Sequence, residues 1–235
     1  MSETPPEAAA PIRHERSEPV RHEHERWLNG LTRIPPATGH EDRVVAWIDA
    51  LLADREGYHR RFDAHGNIEL SLEGHGVTDT PIYFTAHMDH PAFVVTRIVS
   101  PTTIEAEVRG GVMEDYFVGS RVRLHPASGT GIVGTVTERG DQTDPFKSWM
   151  IELDDASDTI TPGDFGVWAL PPAEVLPTDS FGREVESGCL HTPVCDDLAA
   201  LAAALAAVDE LRKLHFSGEK VADVRVLLTR AEEVG

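Results

Sequence analysis

Cysteine is nearly missing from this chain: Cys189 and Cys195 are the only two, which leaves no disulfide framework and points to a reducing compartment, the cytoplasm. Long apolar runs are missing as well. The longest, Leu198 to Val208, is Ala-rich and held between Asp197 and Asp209, well short of the ~20 residues that a membrane crossing needs. Residues 1–25 contain no apolar segment of the kind a secretory signal carries, and their six Glu residues are foreign to a transit peptide. Basic residues are scarce: 21 Lys and Arg face 40 Asp and Glu, for a formal charge of −19. That excess repels phosphate backbones and anionic lipid, which sets nucleic acid and membrane aside as partners. What is present is a hydrophobic fraction of 40% over 235 residues, enough to fill a core and to argue against a wholly disordered chain.

Residues 1–25 mix Pro, Glu, Arg and three His with almost nothing large to bury, and read as a disordered tail. Order is expected from Trp27, whose spacing to Leu28, Leu31 and Ile34 predicts a short amphipathic helix before the Pro35-Pro36 break. Thr38-Gly39-His40-Glu41 has the form of a capping box, followed by Val44, Val45, Trp47, Ile48, Leu51 and Leu52 on one helical face. The turn signal Asp63 to Asn67 leads into alternating Ile68, Leu70 and Leu72, a predicted hairpin. Pro81 to Ala86 is a near-continuous apolar run, which predicts a central strand buried on both faces.

From Ala92 to about Val185 the texture changes to short β-branched runs between Gly, Pro and Asp: Phe93 to Val99, Thr103 to Val108, Ser120 to Leu124, Gly131 to Val136 and Trp149 to Leu153. This is barrel-like, all-β composition. The helical period returns with Leu198, Leu201, Leu205, Val208 and Leu211 behind Asp196-Asp197, and Val224 to Thr229 predicts another buried strand. The fold class expected is therefore α/β: a mixed sheet with helices over residues 26–91 and 186–235, interrupted by a β-rich insertion over 92–185.

Three polar clusters stand at the ends of core elements: His87-x-Asp89 after a strand, Asp196-Asp197 before a helix and Glu232-Glu233 after a strand. Open α/β sheets place ligands at the carboxyl ends of strands, so the three can converge. Each has a plain reading beside the chemical one. His87 and Asp89 can be a polar strand terminus, or His87 can take a divalent cation with Asp89 orienting it. Asp196 and Asp197 suit the cap and first turn of a helix, or one can bridge two metals while the other caps. Glu232 and Glu233 can be a solvated loop. In extended chain they would point opposite ways, so one can ligate a metal while the other holds a water as general base. His14, His22 and His24 lie in the tail, His90 and His191 near the clusters, and Cys195 reads as a small buried residue beside Asp196.

Taken together, His-x-Asp, a helix-opening Asp-Asp and a strand-ending Glu-Glu in this order resemble the co-catalytic metallopeptidases. In the M28 and M20 branches the bridging Asp follows the His closely. Here a β-rich insertion fills the long interval from His87 to Asp196, which is similar to the M42 family of glutamyl aminopeptidase and TET type. Further matching stretches are Thr38 to Glu41, Gly66-Asn67, Gly110-Gly111-Val112, Val118 to Val122 and Pro162-Gly163-Asp164, so that the resemblance covers residues 27–235. It implies a zinc-peptidase-like sheet with a barrel- or PDZ-like insertion, and a cytoplasmic aminopeptidase that acts on peptides with two divalent ions per subunit, zinc or cobalt. It further implies His87 on one ion, Asp196 bridging both, Glu233 on the other, Glu232 as general base, Asp89 orienting His87, and a homo-oligomer built through the insertion.

The departures from the family pattern are specific. Leu198 follows Asp197 where the family commonly has Arg, and His90-Pro91 stands where it usually has an acidic residue. The family also continues beyond Glu233 through another strand that brings a further carboxylate and a His ligand. The chain is accordingly expected to be truncated at its C-terminus, to expose Val224 to Thr229 as an apolar sheet edge, and to be nearly inactive as it stands. Two other readings stay open: a non-catalytic assembly or binding protein of the same fold, and a metal-independent glycoside hydrolase built on paired carboxylates, which leaves His87 without a role.

Overall fold

The computed structural model describes residues 18–74, 80–127, 129–178 and 181–235; residues 1–17 of the expected tail lie outside them. Helix α1 (Glu18–Leu31) begins inside the segment read as tail. Its anchor is polar: His24 is 7% exposed, its ring lies 4.8 Å from that of Trp27, and its Nε2 is 3.4 Å from the buried Asp209 carboxylate. Apolar periodicity does not register a buried histidine.

Helix α2 (Asp42–Ala53) leads to strands β1 (Tyr58–Phe62) and β2 (Ile68–Leu72), the expected hairpin, in register from Tyr58 against Leu72 to Phe62 against Ile68. Strand β3 (Ile82–His87) follows. The next six strands, β4 (Ala92–Ser100), β5 (Thr103–Arg109), β6 (Arg121–His125), β7 (Ile132–Arg139), β8 (Ser148–Leu153) and β9 (Phe165–Trp168), close a barrel in the order β4-β5-β8-β7-β6-β9. Closure removes the sheet edges that an open array of short strands would expose. Strands β10 (Glu174–Thr178) and β11 (Glu184–His191) form a separate ribbon, and α3 (Leu198–Phe216) and β12 (Val224–Thr229) return to the first layer. Among the described residues no helix is long and apolar enough to cross a membrane.

The closing strand β9 is not among the expected runs, because at four residues with a glycine inside it is too short to show a period. A Cβ at Gly166 would lie 2.7 Å from Leu124 Cδ2, so close packing inside the barrel requires the glycine. The barrel core gathers Phe93, Val95, Ile104, Val122, Leu124 and Ile151, with Phe117 stacked on Trp149 at 4.5 Å.

The first layer is a four-stranded sheet, β1-β2-β12-β3, with β12 antiparallel to β2 and parallel to β3. This order reverses two expectations. Strand β12, expected as an open edge, has a neighbour on both sides and buries Val224, Val226 and Leu228. Strand β3, expected at the centre, ends the sheet, and its Ile82, Tyr83 and Phe84 are exposed. An apolar run announces a strand, but not how many neighbours it has within the chain. Ile82 and Phe84 share one face of β3, and replacing both with Lys is expected to suppress concentration-dependent self-association in light scattering. An unchanged mass profile would contradict that.

Barrel and first layer meet where Ala37 packs with Ala92, Val94 and Phe165. The Phe165 ring stacks near those of His40 and His125, at 5.0 and 5.3 Å, with the Arg43 guanidinium 5.0 Å from it. Burial, with Arg43 and Arg123 adding to it, pushes the His125 imidazole down to about 4, and its buried Nε2 has no hydrogen-bond partner among the described residues. The unfolded chain titrates at the ordinary 6.5. Between these values the unfolded state binds the additional proton, so stability falls as pH drops from about 6.5 toward 4. His125→Phe is expected to reduce the drop in melting temperature between pH 7 and 5; an equal drop in both proteins would contradict it.

Candidate metal centre

Strand β3 ends at His87, and the parallel pairing of Thr229 with His87 brings the end of β12 level with it. Beyond β12 the chain turns sharply. Ala231 has φ +58°, a left-handed conformation that costs an L-residue about 1–2 kcal/mol, and Glu232–Val234 form one 3-10 turn. Glu232 and Glu233 are thus on a turn, where an extended pair was expected.

Asp89 holds that turn. Its fully buried carboxylate accepts from the Glu232 N–H at 3.1 Å on Oδ1, and from the Glu233 N–H at 3.2 Å and the Thr38 hydroxyl at 2.7 Å on Oδ2. His87 Nδ1 lies nearer to the Asp89 carbonyl oxygen, 3.1 Å, than to its carboxylate, 3.5 Å. A carbonyl only accepts, so Nδ1 carries the proton and Nε2 presents its lone pair.

Asp196 and Asp197, joined by a cis peptide bond, precede α3. Asp197 occupies the N-cap position of α3 as expected, but it makes no side-chain cap bond; its Oδ2 accepts instead from the His87 N–H at 3.2 Å. Asp196 Oδ1 lies 3.2 Å from His87 Nε2, with Glu232 Oε2 at 3.8 Å. His90 Nδ1 donates to the Asp196 carbonyl at 2.7 Å. The three expected clusters therefore converge: His87, Asp196 and Glu233 each bring a ligand atom within 4.8 Å of the others. The Asp196 and Glu232 side chains are 77% and 60% exposed, so the cluster opens to solvent.

Five carboxylates, of Asp89, Asp196, Asp197, Glu232 and Glu233, crowd one imidazole. Burial opposes protonation of His87, but Asp197, Asp89, Glu232 and Asp196 outweigh it and raise its pKa. Burial likewise raises the Glu233 carboxyl, against the attraction of His87 and with the repulsion of Asp89, Asp196 and Glu232. The His87 Nε2 and the Asp196 carboxylate oxygen, 3.2 Å apart, repel each other unless a proton or a metal ion lies between them. One imidazole nitrogen with carboxylate oxygens is a donor set that fits zinc or cobalt.

His24, Asp209 and Glu210 also bring ligand-type atoms together, but cations of the chain fill that cluster. Lys213 Nζ lies 2.7 Å from Asp209 and 3.0 Å from Glu210, and Arg212 lies 3.1 Å from Asp209. Among the remaining candidates, His22 faces Glu25 on an exposed surface, His14 lies outside the described residues, and His191 donates to the Thr178 carbonyl. Cys195 is exposed where a buried residue was expected. Partial shielding of its sulfur from water, with the repulsion of Cys189 and Asp196 adding to it, raises the pKa of its thiol.

Thr38 and Glu41 have the spacing of a capping box, yet α2 has Glu41 at its N-cap with no side-chain cap bond. Thr38 reaches Asp89 instead, and buried Glu41 accepts from the N–H groups of Gly39 and Ala231. The motif was visible in the sequence; its partners, some 50 and 190 positions away, were not. Asp89→Ala would leave two amides and a hydroxyl without an acceptor, at about 1–3 kcal/mol for each group left unsatisfied. Urea unfolding is expected to show a loss of at least ~2 kcal/mol, and an unchanged midpoint would contradict this role.

The sequence profile of the family described as M42 glutamyl aminopeptidase matches residues 66–235. A search of curated proteins returned no match. Among solved structures, aminopeptidase APDkam598 from the archaeon Desulfurococcus kamchatkensis superposes with a TM-score of 0.68 at 22% identity, over 92% of this chain and 57% of that one. The Pyrococcus horikoshii TET1 peptidase, which can assemble into a tetrahedron or a large octahedral shell, gives 0.67 at 22% identity, over 90% and 62%. A Thermotoga maritima protein named as an endoglucanase gives 0.59 at 20% identity, over 88% and 60%. Proteins named for different substrates share the superposition, so at these identities the likeness shows the fold alone. The chain spans about three fifths of the length of the solved chains it matches.

Proposed function

The chain belongs to the M42 glutamyl aminopeptidase family, and on that premise we propose that it is the ligand-bearing part of a metal-dependent aminopeptidase that removes N-terminal residues from peptides. The observation that carries this reading is the convergence of His87, Asp196 and Glu233 from three separate elements. His87 would hold one ion through Nε2, Glu233 a second through its carboxylate, and Asp196 both. Zinc or cobalt bound there supplies Lewis acidity toward a carbonyl and lowers the pKa of a water toward about 7.

The chain's own groups then have distinct tasks. Glu232, exposed beside His87, takes the proton of the attacking water on its carboxylate and returns it to the leaving amine. Asp89 keeps Glu232 and Glu233 in place through their amides, Asp197 fixes the His87 backbone, and His90 fixes the Asp196 carbonyl. The surplus of carboxylates attracts a cationic α-amino group, which suits action at peptide N-termini. The insertion, residues 92–185, serves assembly of a homo-oligomer in the cytoplasm, in keeping with the shells that the Pyrococcus horikoshii protein forms.

Three ligands shared between two ions fall below the three per ion that catalytic zinc sites carry, so full activity needs ligands beyond these three. Glu232→Gln is expected to keep the ions and lose roughly 10²- to 10⁴-fold in turnover of chromogenic aminoacyl substrates. Asp196→Asn is expected to lose the ions, measured as zinc or cobalt per chain after dialysis. Two ions retained by Asp196→Asn would remove the bridging role, and near-normal turnover by Glu232→Gln would remove the general base.

A further inference from the structure

We propose that Thr38 and Glu41 are positioning residues for Glu232 and Glu233, and that Arg109 extends their hold to the barrel; the consequence for metal affinity rests on the reading above. A turn of three residues at the end of a strand has little stability of its own. This one is held through backbone amides: those of Glu232 and Glu233 donate to Asp89, and that of Ala231 donates to Glu41 at 3.2 Å.

Both acceptors are buried carboxylates, which have no water to rely on and keep their orientation only while donors occupy their oxygens. Thr38 supplies the shortest of the three bonds to Asp89, 2.7 Å, and shares Oδ2 with the Glu233 amide. Without that hydroxyl, Oδ2 keeps only the amide, and the carboxylate is free to rotate away from the turn. Glu41 restrains the turn from its other end. Its Oε1 accepts from Gly39 at 3.0 Å as well as from Ala231, and its Oε2 lies 3.1 Å from Arg230 Nε. The left-handed Ala231, a disfavoured conformation for alanine, is thereby pinned where the chain must turn.

Arg109, the last residue of β5, donates from its guanidinium to the Thr38 carbonyl at 3.0 Å and to Glu107 Oε1 at 2.9 Å. Glu107 in turn accepts from Gln142 at 3.0 Å. The loop can come this close because residue 39 is glycine: its φ is +84°, and a Cβ there would lie 3.1 Å from the Arg109 guanidinium. Direct hydrogen bonds therefore run from a barrel strand through Arg109, Thr38 and Asp89 to the amides of the two glutamates.

The test uses the 235-residue chain and two readouts: amide hydrogen exchange at Glu232 and Glu233 by NMR, and cobalt(II) titration followed by its visible absorption. Thr38→Val keeps the shape and removes the hydroxyl. It is expected to speed exchange at both amides by tenfold or more and to weaken cobalt binding by about 10- to 100-fold. Thr38→Ser keeps the hydroxyl and is expected to stay near wild type in both. Arg109→Met, which leaves Thr38 and Asp89 untouched, is expected to shift both readouts in the same direction by a smaller factor, and carries the same test should Thr38→Val fail to fold.

Wild-type exchange and affinity in Thr38→Val would overturn the positioning role, and the same result in Arg109→Met would overturn the link to the barrel. Faster exchange in Thr38→Val, together with a wild-type chain that binds no cobalt, would sustain the positioning role and defeat the metal reading alone.

Discussion

The buried carboxylate of Asp89 is the constraint on which the rest of the site depends. A carboxylate with no exposure must have its oxygens occupied, and here the donors come from a loop before α2 and from the turn after β12. Satisfying one charge therefore ties together stretches some 50 and 140 positions away from it. His87, two residues upstream, is delivered to the same place because β3 and β12 run parallel and end together. The start of α3 joins through Asp197, whose carboxylate closes on the His87 amide in place of capping its own helix. Packing of the shared core, from Val44 and Ile48 through Leu201 and Leu228, sets how closely these elements approach.

Charge decides what the cluster can hold. Two groups of histidine and carboxylates lie in the described residues, similar in composition and opposite in state. Around Asp209 the acids are matched by Lys213 and Arg212, a finished ion-pair network that His24 joins through the Asp209 carboxylate. Around Asp196 the described residues show no Lys or Arg paired with Asp196, Glu232 or Glu233, and two of the acids open to solvent. A positive ion from outside relieves the repulsion in the second group and has nothing to relieve in the first.

Much of this was legible in the sequence. The hairpin, α2, the start of α3 and the barrel-like texture follow from periodicity and turn residues, which are local. The three ligand-bearing clusters were legible because each stands at an element's end. What stayed hidden was set by distant partners. His24 extends α1 because it meets Asp209; Thr38 and Glu41 serve Asp89 and Ala231 while their spacing mimics a cap; and β3 lies at the sheet's end although its residues are as apolar as those of a central strand. Asp197 shows the same limit, since its position before a helix predicts a cap bond that the competing His87 amide takes over.

The central claim is that His87 and Glu233 each take a divalent ion and that Asp196 joins the two. Crystals soaked in zinc, with anomalous diffraction recorded on both sides of the zinc edge, test it most directly. The account predicts two peaks, one about 2 Å from His87 Nε2 and the other about 2 Å from the Glu233 carboxylate, each at a similar distance from the Asp196 carboxylate. A peak confined to His24, Asp209 and Glu210, or no peak at His87, would contradict it.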